Sequence, residues 1–299
     1  MSEFDRFLTR LDKLVDRIEG ILPADPPEPD WKASIAFRWR KRAGRGLIQP
    51  VANPHKIRLA DLQGIDEQKK LVDQNTRQFV DGYTANNVLL TGARGTGKSS
   101  LVKAVLNKYA SRGLRLIEVE KHDLIDLPDI VDEVGKSENR FIIFCDDLSF
   151  DADEPGYKAL KVILDGSIAA TSDNILIYAT SNRRHLMPEY MQENLETKYI
   201  GDEIHPGESV EEKISLSERF GLWVSFYPFD QDEYLAIAEY WLKVLGVGST
   251  GDSAVRQEAL QWALLRGSRS GRIAWQFARD WAGRHKVGAD ARQRKRRSE

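Results

Sequence analysis

The eight residues Gly92-Ala93-Arg94-Gly95-Thr96-Gly97-Lys98-Ser99 fit G-x-x-x-x-G-K-[ST], between an apolar run, Asn87 to Thr91, and a helical stretch starting near Ser99. A buried strand that turns through glycines into a helix aims several backbone N–H groups, and the positive helix end, at one point. A polyphosphate belongs there: the backbone of Gly92 to Gly97 curls around it, Lys98 reaches its terminal oxygens, the Ser99 hydroxyl ligates Mg²⁺, and Ser100 continues the first turn. This loop constrains the fold strongly. Its strand must lie inside a sheet and its helix must cover that sheet.

The neighbouring pattern agrees. Asn87 to Thr91, Arg115 to Glu120, Phe141 to Asp146, Ile175 to Thr180 and Trp223 to Tyr227 read as five strands alternating with helical segments, which predicts a parallel sheet covered on both faces. After Pro228 the strands stop, and Asp230 to Leu245, Ser253 to Arg266 and Ser270 to Lys286 read as helices. The expected fold is therefore α/β: a five-stranded parallel P-loop sheet with helices on both faces, followed by a small all-helical lid domain. The expected organisation is an N-terminal helical arm and basic linker over 1–52, a nucleotide-binding α/β domain over 53–228, the lid over 229–287, and a disordered basic tail over 288–299. The arm begins with Phe4, Phe7, Leu8, Leu11, Leu14, Val15 and Ile18 at helical spacing. Gly20 and the prolines from Pro23 to Pro29 end that helix.

A phosphate loop needs a carboxylate for its metal at the end of a second buried strand. Phe141-Ile142-Ile143-Phe144-Cys145 is such a strand, and it delivers Asp146 to the metal, directly or through water, and Asp147 to orient an attacking water. The competing reading is a solvated acidic turn. Ile175 to Thr180 is another buried strand, delivering Ser181 and Asn182 at the end of the sheet where ligands sit. The Asn182 amide there holds the terminal phosphate or the water; otherwise it only forms a turn.

Taken in chain order, six segments resemble the AAA+ ATPases, over about residues 57 to 286. Leu59-Ala60-Asp61-Leu62-Gln63-Gly64-Ile65-Asp66 is similar to the adenine-side entry segment, Gly92 to Ser99 to Walker A, Asp146-Asp147 to Walker B, and Thr180-Ser181-Asn182 to sensor 1. Ser217-Glu218-Arg219-Phe220-Gly221 is similar to the arginine-finger segment and Ser270-Gly271-Arg272 to sensor 2. The wording around these segments looks closer still to a bacterial family of predicted single-module AAA+ ATPases classed as a domain of unknown function. The resemblance implies an ATP hydrolase using ATP and Mg²⁺, with Leu62 and Ile65 on the adenine side and Arg219 reaching into a neighbouring subunit's site. It implies Arg272 on the nucleotide from a lid helix, with Arg269 the alternative, and a ring homo-oligomer of about six copies. ATP binding and hydrolysis would then drive conformational change on an unidentified protein client. One residue departs from the family: Asp147 stands where Glu is usual, one methylene shorter, which predicts slow hydrolysis. A second reading follows, a slowly hydrolysing nucleotide-gated adaptor or loader associated with nucleic acid. A third, a monomeric small-molecule kinase, is at odds with the finger, sensor 1 and the lid.

Composition removes other classes. The 299 residues carry a formal net charge of −2, with 44 Lys and Arg against 46 Asp and Glu, so the chain is not uniformly basic. No apolar run is long enough for a membrane span, Met1-Ser2-Glu3-Phe4-Asp5 lacks a secretion-signal pattern, and the single cysteine, Cys145, forms no internal disulfide; a cytoplasmic protein with no membrane partner is expected. The five histidines show no paired spacing, so Mg²⁺ is the one metal expected. The basic residues cluster at Lys32 to Arg45 and at Arg292 to Arg297. Trp31, Phe37 and Trp39 alternate with Arg38, Arg40, Lys41 and Arg42, which suits single-stranded nucleic acid. It suits better an arm packed on the core or an adjacent subunit, its cations solvated or facing acidic residues such as those between Glu118 and Glu133. The tail is the other candidate nucleic-acid contact. The Glu-rich stretch Arg183 to Ser217 reads either as a partner surface or as an exposed insertion.

Overall fold

The computed structural model describes residues 3–19, 29–42, 44–150, 154–165, 173–182, 198–200, 203–205, 216–247 and 253–298. The proline-rich linker over 20–28 and most of the Arg183 to Ser217 stretch lie outside the described residues. The chain opens with helix α1 (Glu3–Glu19), then strands β1 (Ala36–Arg42) and β2 (Arg45–Pro50), helix α2 (Asp66–Val80), strand β3 (Val88–Gly92) and helix α3 (Lys98–Tyr109). Strand β4 (Leu114–Glu118), helix α4 (Leu127–Val134), strand β5 (Arg140–Cys145), helix α5 (Pro155–Leu164) and strand β6 (Ile175–Ser181) follow. The short strands β7 (Lys198–Ile200) and β8 (Glu203–His205) pair with each other, and β9 (Leu222–Phe226) completes the main sheet. Three helices close the chain: α6 (Gln231–Val244), α7 (Ser253–Leu265) and α8 (Gly271–Ser298).

The main sheet has seven strands in the order β2-β1-β4-β5-β6-β3-β9, parallel except for the β1–β2 hairpin. Its central strands β5, β6 and β3 are buried along nearly their whole length because both faces are covered. On β5, Ile142 and Phe144 enter the core shared with α3 and the C-terminal helices, while Phe141, Ile143 and Cys145 enter the core under α4 and α5. The phosphate-loop strand β3 lies between β6 and β9, yet the chain leaves it to form β4, two strands beyond its neighbour β6. That switch opens a crevice at the carboxyl ends of β5, β6 and β3.

Two expectations need correction. The sheet has seven strands rather than five, because Ala36 to Pro50, read as basic linker, is a hairpin on the sheet edge. Its period-2 alternation buries Phe37 and Trp39 and turns Arg38 and Arg40 outward, and the density of cations concealed that alternation. Trp31 packs edge-on against Phe37 and Phe141, at ring centroid distances of 4.9 and 4.7 Å. Arg38, Arg40 and Lys41 pair with Glu118, Glu120 and Asp126 at 2.7, 2.5 and 2.8 Å, and the Trp39 Nε1–H donates to Asp126 at 2.9 Å. Of the two readings of this stretch, the structure shows packing on the chain's own core, and the rings needed for base stacking at Phe37 and Trp39 are not exposed. The second correction is at the other end, where the backbone of the expected disordered tail continues α8 as helix to Ser298. Ala, Gln, Lys and Arg are strong helix formers, and a helix with no apolar stripe leaves no periodic signal. Among the described residues, no helix is long and apolar enough to cross a membrane.

Candidate functional site

Gly92 ends β3 with φ 124°, and a Cβ there would lie 1.9 Å from the Phe226 carbonyl oxygen on β9, so the tight passage requires glycine. Gly97 caps α3 in the left-handed region, at φ 104°. Lys98, buried at 6% exposure, folds back so that its Nζ donates to the carbonyls of Gly92 and Ala93, both at 2.7 Å, and to Asn182 Oδ1 at 3.0 Å. Burial pushes its pKa down to about 8; Arg272 and Arg94 add to that fall, and Asp146 and Asp147 oppose it.

Beside the lysine, one carboxylate oxygen gathers two hydroxyls. Ser99 Oγ and Thr180 Oγ1 each donate to Asp146 Oδ1 at 2.6 Å, and the Asp147 backbone N–H donates to Thr180 Oγ1 at 2.9 Å. The Asn182 amide spans the remaining gap: its oxygen faces the Lys98 ammonium and its Nδ2 donates to Asp147 Oδ1. The ends of β3, β5 and β6 thus supply one connected network of a cation, two carboxylates, two hydroxyls and an amide.

This network floors a cavity of about 860 Å³. Arg94 to Ser100, Asp146, Asp147 and Asn182 line it, whereas Gly92 and Ala93 lie beneath and contribute carbonyls to Lys98. Leu62 and Ile65 form the opposite wall, and Gly97 is packed against the Ile65 side chain. The C-terminal helices close the cavity with Trp241 on α6 and Arg272 and Trp275 on α8; the two indoles lie 4.5 Å apart between centroids. Arg269 lines a different hollow, between α6 and α7, so of the two sensor candidates Arg272 is the one at this cavity. Arg219 does not line it and pairs instead with Asp165 at the end of α5. Thr180 belongs to the segment that resembles sensor 1, but no role for its hydroxyl was legible there, and Lys103, Trp241 and Trp275 carried no signal of a site in the sequence. The last two come from helices remote in sequence, and only the fold brings them here. Asp61 is a further cavity residue, held by Arg58 Nη2 and Tyr240 Oη at 2.8 and 2.7 Å; those bonds hold its carboxyl below the usual range against the opposing effect of burial.

The residues fit a magnesium-bound nucleoside polyphosphate. Arg94 and Arg272 add to the fall in the Lys98 pKa that burial dominates, and a polyanion bound among these cations would raise it. Ser99 Oγ and Asp146 offer the pair of hard oxygens with which Mg²⁺ is held when phosphate oxygens and waters complete its shell. Among the described residues no group of three His, Cys, Asp or Glu side chains gathers as an all-protein metal site.

No curated protein matches this chain. Among solved structures it is similar to the Thermotoga maritima RuvB Holliday junction branch migration motor, at 18% identity over 76% of this chain and 64% of that chain (TM-score 0.49). A variant of that RuvB aligns at 17% identity over the same shares, with TM-score 0.50. The Aeropyrum pernix ORC1 protein, solved in complex with DNA, is 15% identical over 72% of this chain and 58% of that chain, with TM-score 0.51. The chain spans less than two thirds of the length of each. At these identities the likeness is one of fold, that of the AAA+ P-loop ATPases. The family model described as "Protein of unknown function (DUF815)" matches residues 32–285, most of the chain, and the chain belongs to that family.

Proposed function

We propose that this protein is a Mg·ATP-dependent ATPase that transmits nucleotide-driven conformational change to an unidentified client. The observation that carries this reading is the convergence of Lys98, Ser99, Asp146, Thr180 and Asn182 at the ends of three adjacent strands, below a cavity of nucleotide size. Lys98 and the loop N–H groups hold the phosphates, and Ser99 with Asp146 holds Mg²⁺, which supplies charge neutralisation on the phosphate oxygens. Asp147 and Asn182 orient the attacking water. Leu62, Ile65, Trp241 and Trp275 enclose the base, and Arg272 answers to the nucleotide from α8. The nucleotide therefore lies between an α/β domain and a helical lid, whose angle changes with its state.

Arg219 stands off its own cavity, and this supports a role toward a neighbouring subunit in a ring of about six, where such a finger supplies about 10³–10⁵ in rate. One observation favours the second reading, a nucleotide-gated adaptor: the short Asp147 side chain is already engaged by Asn182. Turnover separates the two. Steady ATP hydrolysis by the purified chain, lost in Arg219→Ala with ATP binding intact, selects the motor. Saturable binding without steady turnover selects the adaptor, and absence of ATP binding overturns both.

A further inference from the structure

Helix α1 is amphipathic, yet every one of its described side chains, residues 4–15 and 17, is exposed. Phe4, Phe7, Leu8, Leu11, Leu14 and Val15 are between 42% and 68% exposed. Their spacing, a, d, e, a, d, e over two heptads, makes one continuous apolar stripe of the width that a helix turns toward a packed neighbour. So large a bare stripe calls for a partner.

The charges say which partner. On the edge next to the e positions stand Asp5 and Asp12, with Glu19 next in the sequence series. On the edge next to the d positions stand Arg6, Arg10, Lys13 and Arg17, with Glu3 the one acidic residue of that series. One flank of the stripe is thus acidic and the other basic. When two copies lie parallel, related by rotation about an axis along the helices, the basic flank of each faces the acidic flank of the other. In an antiparallel pair each flank meets its own copy, basic against basic, which is repulsive. A membrane surface is the poorer occupant, because a helix that lies on lipid carries cations along its polar face rather than signs split to either side.

We infer that the apolar face of α1 docks on α1 of further copies of this chain, in parallel, as a self-association element outside the nucleotide site. Copies related by a rotation axis that runs along α1 present it in parallel, so the arrangement accords with the proposed ring without resting on it. Seventeen residues make only a little over two heptads, so the helices add to an assembly mainly by raising effective concentration between chains that already meet.

The experiment is light scattering on the full chain without nucleotide, in wild type and in a Lys98→Ala background. Association that persists in Lys98→Ala separates this inference from the ATP reading. Leu11→Asp with Leu14→Asp is expected to weaken self-association at least about ten-fold while leaving the thermal midpoint of the body unchanged, since neither side chain packs on it. Arg10→Glu with Arg17→Glu should also weaken it, and adding Asp5→Lys with Asp12→Lys should restore it. Cys145 is buried, so in Phe4→Cys the introduced thiols are the reactive ones. They meet across a parallel pair and yield a disulfide-linked dimer under mild oxidation, whereas an antiparallel pair holds them at opposite ends. An unchanged mass in Leu11→Asp with Leu14→Asp, failure of the charge swap to restore association, or absence of the Phe4→Cys dimer overturns the inference. So does co-sedimentation of wild type, but not of that double variant, with phosphatidylserine vesicles, which would assign the face to lipid.

Discussion

Among the described residues, Asp147 is the non-glycine residue with positive φ, at 55°. Asp and Asn tolerate this left-handed conformation better than Glu, so the backbone turn that brings the Asp147 N–H to Thr180 gives a physical ground for an Asp where the AAA+ resemblance leads one to expect Glu. Asp147→Asn keeps both the turn and the amide-sized side chain but removes the negative charge. It is expected to bind ATP as wild type does and to lower any hydrolysis by about 10²-fold or more, as read from steady-state turnover beside equilibrium binding. Lys98 gives a prediction of a different kind. Below pH 8 it is charged in the folded and unfolded chain alike, and the ligand-free fold carries the full cost of burying that charge. Between its folded pKa of about 8 and its ordinary value of 10.5, the folded chain has lost the proton while the unfolded chain keeps it, so stability rises with pH. The rise relative to Lys98→Met should total about 3 kcal/mol, measured by urea unfolding of the metal-free, nucleotide-free proteins across that range. Parallel pH profiles for the two proteins would show that Lys98 is not the group responsible.

The hairpin of β1 and β2 shows how an element can be hidden by its own charges. Trp39 is 4% exposed and lies over Gly46, where a Cβ would come 1.9 Å from its ring, while Arg38 on the same strand is half exposed beside Glu118. Trp39→Ala removes a large buried ring and its bond to Asp126, and should cost about 3–5 kcal/mol in urea unfolding. Arg38→Ala loses one solvent-exposed ion pair and should cost less than about 1 kcal/mol. Equal costs for the two would mean that the edge is held by charge, and the account of its burial pattern would fail. The same contrast explains what could be read from the residues alone. The phosphate loop and Asp146 were legible because each follows an apolar run that a two-sided sheet demands, and Asn182 because it ends another. The hairpin was not, since its alternation is of tryptophan and phenylalanine with arginine in a stretch whose charge dominated. Nor were the bond of the Thr180 hydroxyl to Asp146 and the lid tryptophans, since a hydroxyl at the end of an apolar strand and two indoles on distant helices acquire a role only when the strands and helices are placed. Legible strand boundaries stayed within a residue or two of the observed ones, as at Asn87 to Thr91 against Val88–Gly92.

At the scale of the whole molecule, the phosphate loop and the C-terminal helices are in direct contact. A Cβ on Gly95 would lie 2.8 Å from Ser270 Oγ and 3.5 Å from Arg272 Cβ, so the loop's tip and the start of α8 are packed against each other. Ser270 is buried, and its hydroxyl accepts from the Ile273 N–H at 3.3 Å, fixing the first turn of the helix that carries Arg272 and Trp275 to the cavity. The cores reinforce this: Tyr234, Ala259, Ala274 and Phe277 of the three C-terminal helices belong to the same apolar cluster as Val88 and Leu90 of β3. A ligand that touches both sides should therefore tie the helices to the sheet. Saturating Mg·ATP is expected to slow amide exchange in α3 and in the first turns of α6 and α8 together, and to raise the unfolding midpoint by the amount its affinity dictates. In Arg272→Ala the contact from the α8 side is removed while the phosphate loop is intact. Protection of α3 should then persist, protection of α8 should fall towards the nucleotide-free level, and ATP affinity should drop by about ten-fold, the size of one charge-assisted contact. If α8 in Arg272→Ala is protected as strongly as in wild type, the nucleotide does not couple the helices through this arginine, and its place at the cavity is structural.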